Sequence, residues 1–208
     1  MKIGSDGGRD DPALPNGNAP FATLPVRPTD RVVRAGCRAL AALWQAIGLR
    51  QAAGAMRHYL AATGAPYRIE AEAVLALPPV HRAVDTQLAR WLAEAPEVPG
   101  TYEADTVWRG VLISRSADTD WWLALRGIQY RLTGTVRVTE RGPTVCGYRF
   151  QLHKSWNFDR GETECGVPFT PFARLHETGL AREFTVWGTT GAVIPEGAAS
   201  AADRTDSR

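Results

Sequence analysis

Ile128-Gln129-Tyr130-Arg131-Leu132-Thr133-Gly134-Thr135-Val136-Arg137-Val138-Thr139, then Glu140-Arg141-Gly142-Pro143, then Thr144-Val145-Cys146-Gly147-Tyr148-Arg149-Phe150-Gln151-Leu152-His153-Lys154: the fold is read from this stretch. In the first run Ile128, Tyr130, Leu132, Val136 and Val138 alternate with Gln129, Arg131, Thr133, Arg137 and Thr139. A period of two places the apolar set on one face of a half-buried strand. Gly142-Pro143 marks a turn, and Tyr148, Phe150 and Leu152 then alternate with Arg149, Gln151 and His153. The two runs predict an antiparallel hairpin. Both apolar sets sit on even numbers, which restricts the register, since a one-residue slip would turn one set to solvent. One allowed register faces Tyr130 with Leu152, Leu132 with Phe150 and Val136 with Cys146. The other face then collects Gln129, Arg131, Thr133, Arg137, Arg149, Gln151 and His153, a polar and basic set without a carboxylate.

Upstream of this hairpin, Thr106 to Ser114 reads as a strand, Ser116 to Asp120 as a turn, and Trp121 to Leu125 as either strand or helix. Further back the period becomes helical. Thr29-Asp30 offers an N-cap to a helix from Arg31 to Ile47, with Val33, Cys37, Leu40, Trp44 and Ile47 on one stripe. A second helix is expected over Leu49 to Thr63, a short one over Ala71 to Leu77, and another over Val80 to Ala95 after Pro78-Pro79. Downstream, Thr170-Pro171 starts a short helix that Gly179 closes, and Leu180 to Val186 returns to the sheet. The expected fold is α+β, with N-terminal helices packed on one face of a C-terminal antiparallel sheet. Residues 1–28 and 189–208 are poor in buriable side chains and read as disordered tails. Residues 29–188 then form a single domain, helical over 29–96 and sheet over 102–188.

The chain has 208 residues, 44% apolar and 22% charged, with a net charge of +2. These are values of an ordinary globular protein with no strong overall field for nucleic acid or membrane. Charge is nonetheless uneven: Arg31 to Ile69 holds six arginines and no acid, and Glu70 to Thr106 holds seven acids. The arginine-edged helix over 31–47 could lie on an anionic membrane. The competing account, a core helix whose arginines reach back to water, fits its wide Ala-rich stripe better. No apolar run before Arg31 forms a signal peptide and no run of about 18 apolar residues spans a bilayer. The expectation is a cytoplasmic protein, or one exported without a cleavable signal.

Cys37, Cys146 and Cys165 make no disulfide framework, and a Cys146–Cys165 bridge stays open. Cys146, His153, Cys165 and His176 are spaced C-x6-H-x11-C-x10-H, without the short pairs of structural zinc sites, so no metal site is assigned. Phosphate loops, dinucleotide glycine patterns and HExxH or GxSxG motifs are absent, so no nucleotide or other cofactor is expected. The aromatic residues of the hairpin lie on the opposite parity from its arginines, which counts against stacking on single-stranded nucleic acid.

Chemistry-bearing residues gather after the hairpin. His153 leads into Trp156-Asn157-Phe158-Asp159-Arg160-Gly161-Glu162, and His176 and Glu183 lie in Leu175 to Phe184. An imidazole beside a carboxylate and an arginine is the usual equipment of acid–base hydrolysis. His153 or His176 would be the base, Asp159 or Glu183 its orienter, and Arg160 or Arg182 the anion stabiliser. Arg131, Arg149 and Asn157 would add substrate contacts. Each residue also has a bland role: a solvated histidine, a turn-capping Asp, a surface Arg–Glu pair, an aromatic filling the core edge.

Trp121-Trp122, Tyr130-Arg131-Leu132-Thr133-Gly134, Trp156 to Glu162 and Leu175-His176-x-x-Gly179-Leu180-Ala181-Arg182-Glu183-Phe184 together resemble toxin-like C-terminal domains of large actinobacterial secreted proteins of polymorphic-toxin type. The resemblance covers about residues 55–190. In such domains an acidic residue is expected shortly before the Asn-aromatic-Asp loop, where this chain has His153-Lys154-Ser155. The resemblance implies an effector module with a cognate immunity or other partner protein, and no defined reaction. A non-catalytic binding or scaffold domain, with both segments structural, is the alternative. A site requires His153, Asp159 and His176 or Glu183 to converge on a concave pocket.

Overall fold

The computed structural model describes residues 2–4, 20–164 and 166–195. The hairpin is its centre. Strands β5 (Gly127–Thr139) and β6 (Gly142–Trp156) pair antiparallel, with Tyr130 opposite Leu152 and Leu132 opposite Phe150 as parity requires. Past Thr135 the register shifts and Val136 faces Val145, not Cys146. Cys146 is the extra residue of a bulge, which reverses the parity of the strand beyond it and keeps both Val136 and Val145 buried. Gly134 permits the close strand approach there, because a Cβ would collide with the Gly147 carbonyl oxygen.

Around the hairpin a seven-stranded, mostly antiparallel sheet assembles. Strand β3 (Gly100–Asp105) pairs with the distal half of β5 and β4 (Arg109–Leu112) with its start. The strand expected over Thr106 to Ser114 is thus shorter, Arg109–Leu112 alone, and β3 is a further strand just before it, with Thr106, Val107 and Trp108 between the two. Strand β9 (Phe184–Thr189) lies on the far side of β6. Two short strands add parallel edges: β1 (Lys2–Ile3) on β3 and β2 (Tyr67–Arg68) on β9. A separate two-stranded ribbon joins β7 (Thr163–Glu164) to β8 (Val167–Pro168).

The helices α1 (Pro28–Ala46), α2 (Arg50–Leu60), α3 (Ala71–Leu75) and α4 (Pro78–Ala93) precede all of the sheet but its short edge strands β1 and β2, with α5 (Thr119–Ala124) and α6 (Thr170–Glu177) inserted among the later strands. Trp121 to Leu125 therefore resolves as helix: Asp118 accepts the Trp121 amide at 2.9 Å and caps α5. The fold is α+β. Its core joins the even face of the hairpin (Tyr130, Leu132, Phe150, Leu152) to Met56 and Tyr59 of α2 and to Val80, Val84 and Trp91 of α4. Trp156 and Phe184 pair across β6 and β9 and stack at 5.2 Å between ring centres, closing the core beside Tyr59.

Two pieces assigned by composition to the N-terminal tail belong to the fold. Lys2 and Ile3 form an edge strand, and Ile3 is buried. Ala22 and Leu24 donate backbone hydrogen bonds to the carbonyls of His176 and Glu177. At the other end Val193 bridges to Tyr148, past the expected boundary at 189. The disorder expected over 5–19 and 196–208 lies outside the described residues, as does the Cys146–Cys165 question.

The first helix also starts earlier than expected. Its N-cap is Arg27, because Pro28 presets the first helical φ and needs no amide partner. Asp30 becomes the third residue of the helix, accepts the Arg27 amide at 2.8 Å and receives the Arg174 guanidinium of α6 at 2.8 Å. Burial pushes its carboxyl up, but the Arg27 amide and the Arg174 guanidinium outweigh burial and hold it below the ordinary 3.8. The folded state thus favours the ionised form, so this contribution is present at neutral pH and lost as the pH falls below the ordinary carboxylate range. Asp30→Ala is expected to cost about 2 kcal/mol at pH 7, and less at pH 3, in urea titrations.

Candidate functional site

The loop after β6 is held from three sides. Asn157 donates its side-chain amide to Asp159 Oδ1 at 2.9 Å, and the Glu162 amide donates to the Asp159 carbonyl. Phe158 turns inward, stacking on Phe172 at 5.0 Å and meeting Tyr59, Trp156 and Phe169 edge-on. Arg160 leaves the loop on the α6 side, where Glu177 takes its guanidinium in a two-pronged ion pair. Alternation of aromatic and polar residues in Trp156-Asn157-Phe158-Asp159 is what puts one set into the core and the other at its rim.

Glu183 stands behind this loop. The Phe158 backbone amide donates to its carboxylate, and its own backbone amide donates to His176 Nδ1 at 3.1 Å. Among the described residues, Glu183 Oε2 is buried without a hydrogen-bond partner. Burial raises the Glu183 carboxyl from the ordinary 4.5 to about 7; the Phe158 amide opposes this, and the charges of Asp159 and Glu177 add to it. A raised carboxyl binds a proton in the folded chain that the unfolded chain has released, so stability falls as the pH rises from about 4.5 to about 7. Glu183→Gln is expected to remove most of that pH dependence. After allowance for partial solvent screening, it should stabilise the protein by about 1–2 kcal/mol at pH 8 and by little at pH 5, read from thermal melts at both pH values.

In front of the loop lies a cleft of about 350 Å³. Leu40 and Trp44 of α1, Met56 of α2, Trp122 of α5, Trp156, Phe158, Phe169 and Phe172 make it apolar, and Arg126, Lys154, Asn157, Asp159 and Glu162 supply its polar part. Arg126 holds a left-handed φ of 54° between α5 and β5, a conformation costing of order 1 kcal/mol that directs the chain sharply from helix into strand. An apolar cleft with a few convergent polar groups is the usual form of a small-molecule site.

The residues expected to act together are not all brought together. Asp159, Asn157, Arg160, His176 and Glu183 share the junction of loop, α6 and β9. His153 does not join them. It leaves β6 on the opposite parity from Trp156, is buried against Trp108 at 4.5 Å, and hydrogen-bonds Gln129 at 3.1 Å. Arg131, expected to bind substrate on that basic face, is paired with Asp105, which Lys2 also reaches. The face thus has a carboxylate after all, supplied by β3, which the hairpin alone could not reveal. Arg149 lies exposed on the same side, apart from the cleft.

His176 is buried and its Nδ1 is occupied as an acceptor, so it serves as a fixed strut between α6 and the Glu183 backbone. Arg182 forms no local pair with Glu183: it donates to the Thr63 carbonyl at 3.2 Å and covers the Phe21 ring at 4.5 Å. Arg160 is committed to Glu177. Sequence reading missed Glu177 as that partner, Tyr59 as the ring that packs behind Trp156 and Phe158, and Arg126 and Lys154 as cations lining the same cleft as Asp159. Only Lys154, adjacent to the site segment and on a core-facing parity, carried a signal that could have been read. Among the described residues no group of three or more His, Cys, Asp and Glu side chains is placed to hold a metal ion, and the Cys165 of the zinc spacing lies outside them.

No protein-family model matches the sequence, and no curated protein matches it. Two solved structures are similar to it in outline. One is truncated bacteriocin syringacin M from Pseudomonas syringae pv. tomato DC3000, at 18% identity over 70% of this chain and 58% of that one, with a TM-score of 0.44. The other is PaeM, a colicin M-like bacteriocin produced by Pseudomonas aeruginosa, at 18% identity over 70% of this chain and 49% of that one, with a TM-score of 0.37. The chain spans 58% and 49% of their lengths. Likeness at this level carries no functional argument.

Proposed function

We propose that the protein is a toxin-like effector that hydrolyses a polar or anionic substrate, with Asp159 as general base at the polar end of the aromatic cleft. The observation that carries this reading is the placement of Asp159. Its loop borders a concave apolar site, and the loop is clamped from behind by a carboxyl group that titrates near neutrality, at about 7. Asp159 would take a proton from water as the water oxygen bonds to the electrophilic centre; the scissile bond would then break, and the proton held by Asp159 would pass to the departing group. Arg126 and Lys154 would stabilise the negative charge that develops on the substrate. The apolar wall would take a hydrophobic portion of the same substrate and exclude water.

Glu183 and His176 act here as positioning residues. Glu183 holds the Phe158 amide, and His176 holds the Glu183 backbone; neither is among the cleft-lining residues. This differs from the roles read from sequence, where a histidine was the base. The resemblance of the Trp121 to Phe184 stretch to toxin-like domains supports the effector part of the reading, and it implies a cognate immunity or partner protein. The test is growth arrest on expression in a bacterial host, wild type beside Asp159→Asn, with both proteins directed to cytoplasm and to periplasm. Soluble, folded wild type that arrests growth in neither compartment would remove the effector reading for that host.

A further inference from the structure

Helix α1 has two apolar faces, and the core uses one of them. Cys37 and Ala41 are buried, and Val33 and Trp44 pack against the core. The opposite face carries Val32, Ala35, Gly36, Ala39, Ala42, Leu43, Ala46 and Ile47, all exposed. At 3.6 residues per turn these positions fall within an arc of about 140° whose one polar side chain from α1 is Thr29, at its N-terminal end and at the same angle as Ile47. Val32, Leu43 and Ile47 are 71%, 55% and 61% exposed, among the largest values for big apolar residues in the chain. Among the described residues nothing approaches within 4 Å of where a Gly36 Cβ would stand. The arc is not the stripe that sequence periodicity marks for membrane contact, since Val33, Leu40 and Trp44 turn toward the body of the protein.

Charge identifies the occupant. Arg31 and Arg38 are exposed along one edge of the arc, and Arg27, Arg50 and Arg57 are exposed on the same α1–α2 unit. Between Arg27 and Leu60 the only acid is Asp30, which is buried and neutralised by Arg174. Of the acids that neighbour this unit from elsewhere, Asp120 of α5 is used on the amides of Gln51 and Ala52 at the start of α2, and Asp159 and Glu162 line the cleft beside Leu40, Trp44 and Met56, on the other side of α1 from the arc. A second copy meeting the first arc to arc would bring arginine against arginine, since neither arc nor its edge carries an acid. An anionic lipid surface supplies negative charge for the edge and hydrocarbon for the arc. No described helix is long and apolar enough to cross a membrane, so contact would be from the side.

We infer that α1 lies flat on anionic bilayers, with Val32, Leu43 and Ile47 entering the headgroup–acyl boundary and Arg31 and Arg38 at the phosphates. The inference does not rest on the hydrolytic reading, and Asp159→Asn should bind membranes as wild type does. The test is co-sedimentation of the full chain with vesicles of phosphatidylcholine containing about 30 mol% phosphatidylglycerol, beside pure phosphatidylcholine. Binding is expected to the anionic vesicles only, and to weaken between about 0.1 M and about 0.5 M salt. Arg31→Gln with Arg38→Gln should weaken it about twentyfold, and Leu43→Asp with Ile47→Asp about tenfold or more. Leu112→Asp, at another exposed apolar residue, is the control and should bind unchanged; circular dichroism confirms that each variant is folded. Absence of anionic-vesicle binding by folded wild type overturns the inference. So does binding that the α1 variants leave intact. A dimer in solution that Leu43→Asp dissociates, without vesicle binding, would instead assign the face to a second copy.

Discussion

Asp159→Asn is expected to lower activity by about 10²–10⁴-fold while leaving the protein folded. The carboxylate is exposed at the rim of the cleft, and only one of its oxygens is engaged, by the Asn157 amide. An asparagine keeps the size and can still accept that bond through its carbonyl oxygen, but it cannot take a proton from water. Stability should therefore change little, whereas any reaction using Asp159 as base should collapse. The measurement is growth arrest in the host, with soluble yield and thermal melt recorded for both proteins. A soluble Asp159→Asn protein that arrests growth as wild type does would falsify the assignment of the base. The second cationic arm is Lys154→Gln, which should reduce activity less, because it stabilises charge and transfers no proton.

Trp156→Ala is expected to cost about 3–5 kcal/mol, the range for removing a large aromatic from a closed core. For a domain of this size the melting temperature should fall by about 10 °C or more. Trp156 is buried, stacks on Phe184, touches Tyr59 and Phe158, and donates its indole N–H to the Ala124 carbonyl at 2.8 Å. It joins β6, β9, α2 and α5 at one point and also forms the back wall of the cleft. Trp156→Phe keeps part of the stacking but loses the N–H and three ring atoms, so its cost should be smaller, about 2–3 kcal/mol. Chemical denaturation of the three proteins decides the matter: an alanine cost under about 1.5 kcal/mol would mean that the ring is not enclosed as described.

The site differs from the sequence-based expectation in an instructive way. His153 looked like a base because it ends a polar strand face beside an aromatic loop. Strand parity sends it instead toward Trp108 and Gln129, while the loop leaves β6 from Trp156 on the other face. Arg131 looked available for substrate because the hairpin holds no acid, yet Asp105 arrives from a strand 26 residues upstream. Arg160 and Glu177 are 17 residues apart, and their pairing depends on how α6 docks. In each case the missing information was the identity of a non-local neighbour.

Local periodicity determined the fold class, the central hairpin with most of its register, the helical half, and the two segments that meet at Phe158 and Glu183. Alternation and helical spacing are properties of adjacent residues, so they can be read from the chain alone. The bulge at Cys146, the edge strand at Lys2–Ile3, the pairing of Asp30 with Arg174 and the raised carboxyl of Glu183 were decided by tertiary structure. The inward stripe of α1, at Val33, Cys37 and Trp44, is the one its periodicity marks. That Ile47 leaves this stripe, and that the second apolar face at Val32 and Leu43 stays in solvent, depends on which elements pack beside the helix, and no local pattern states that.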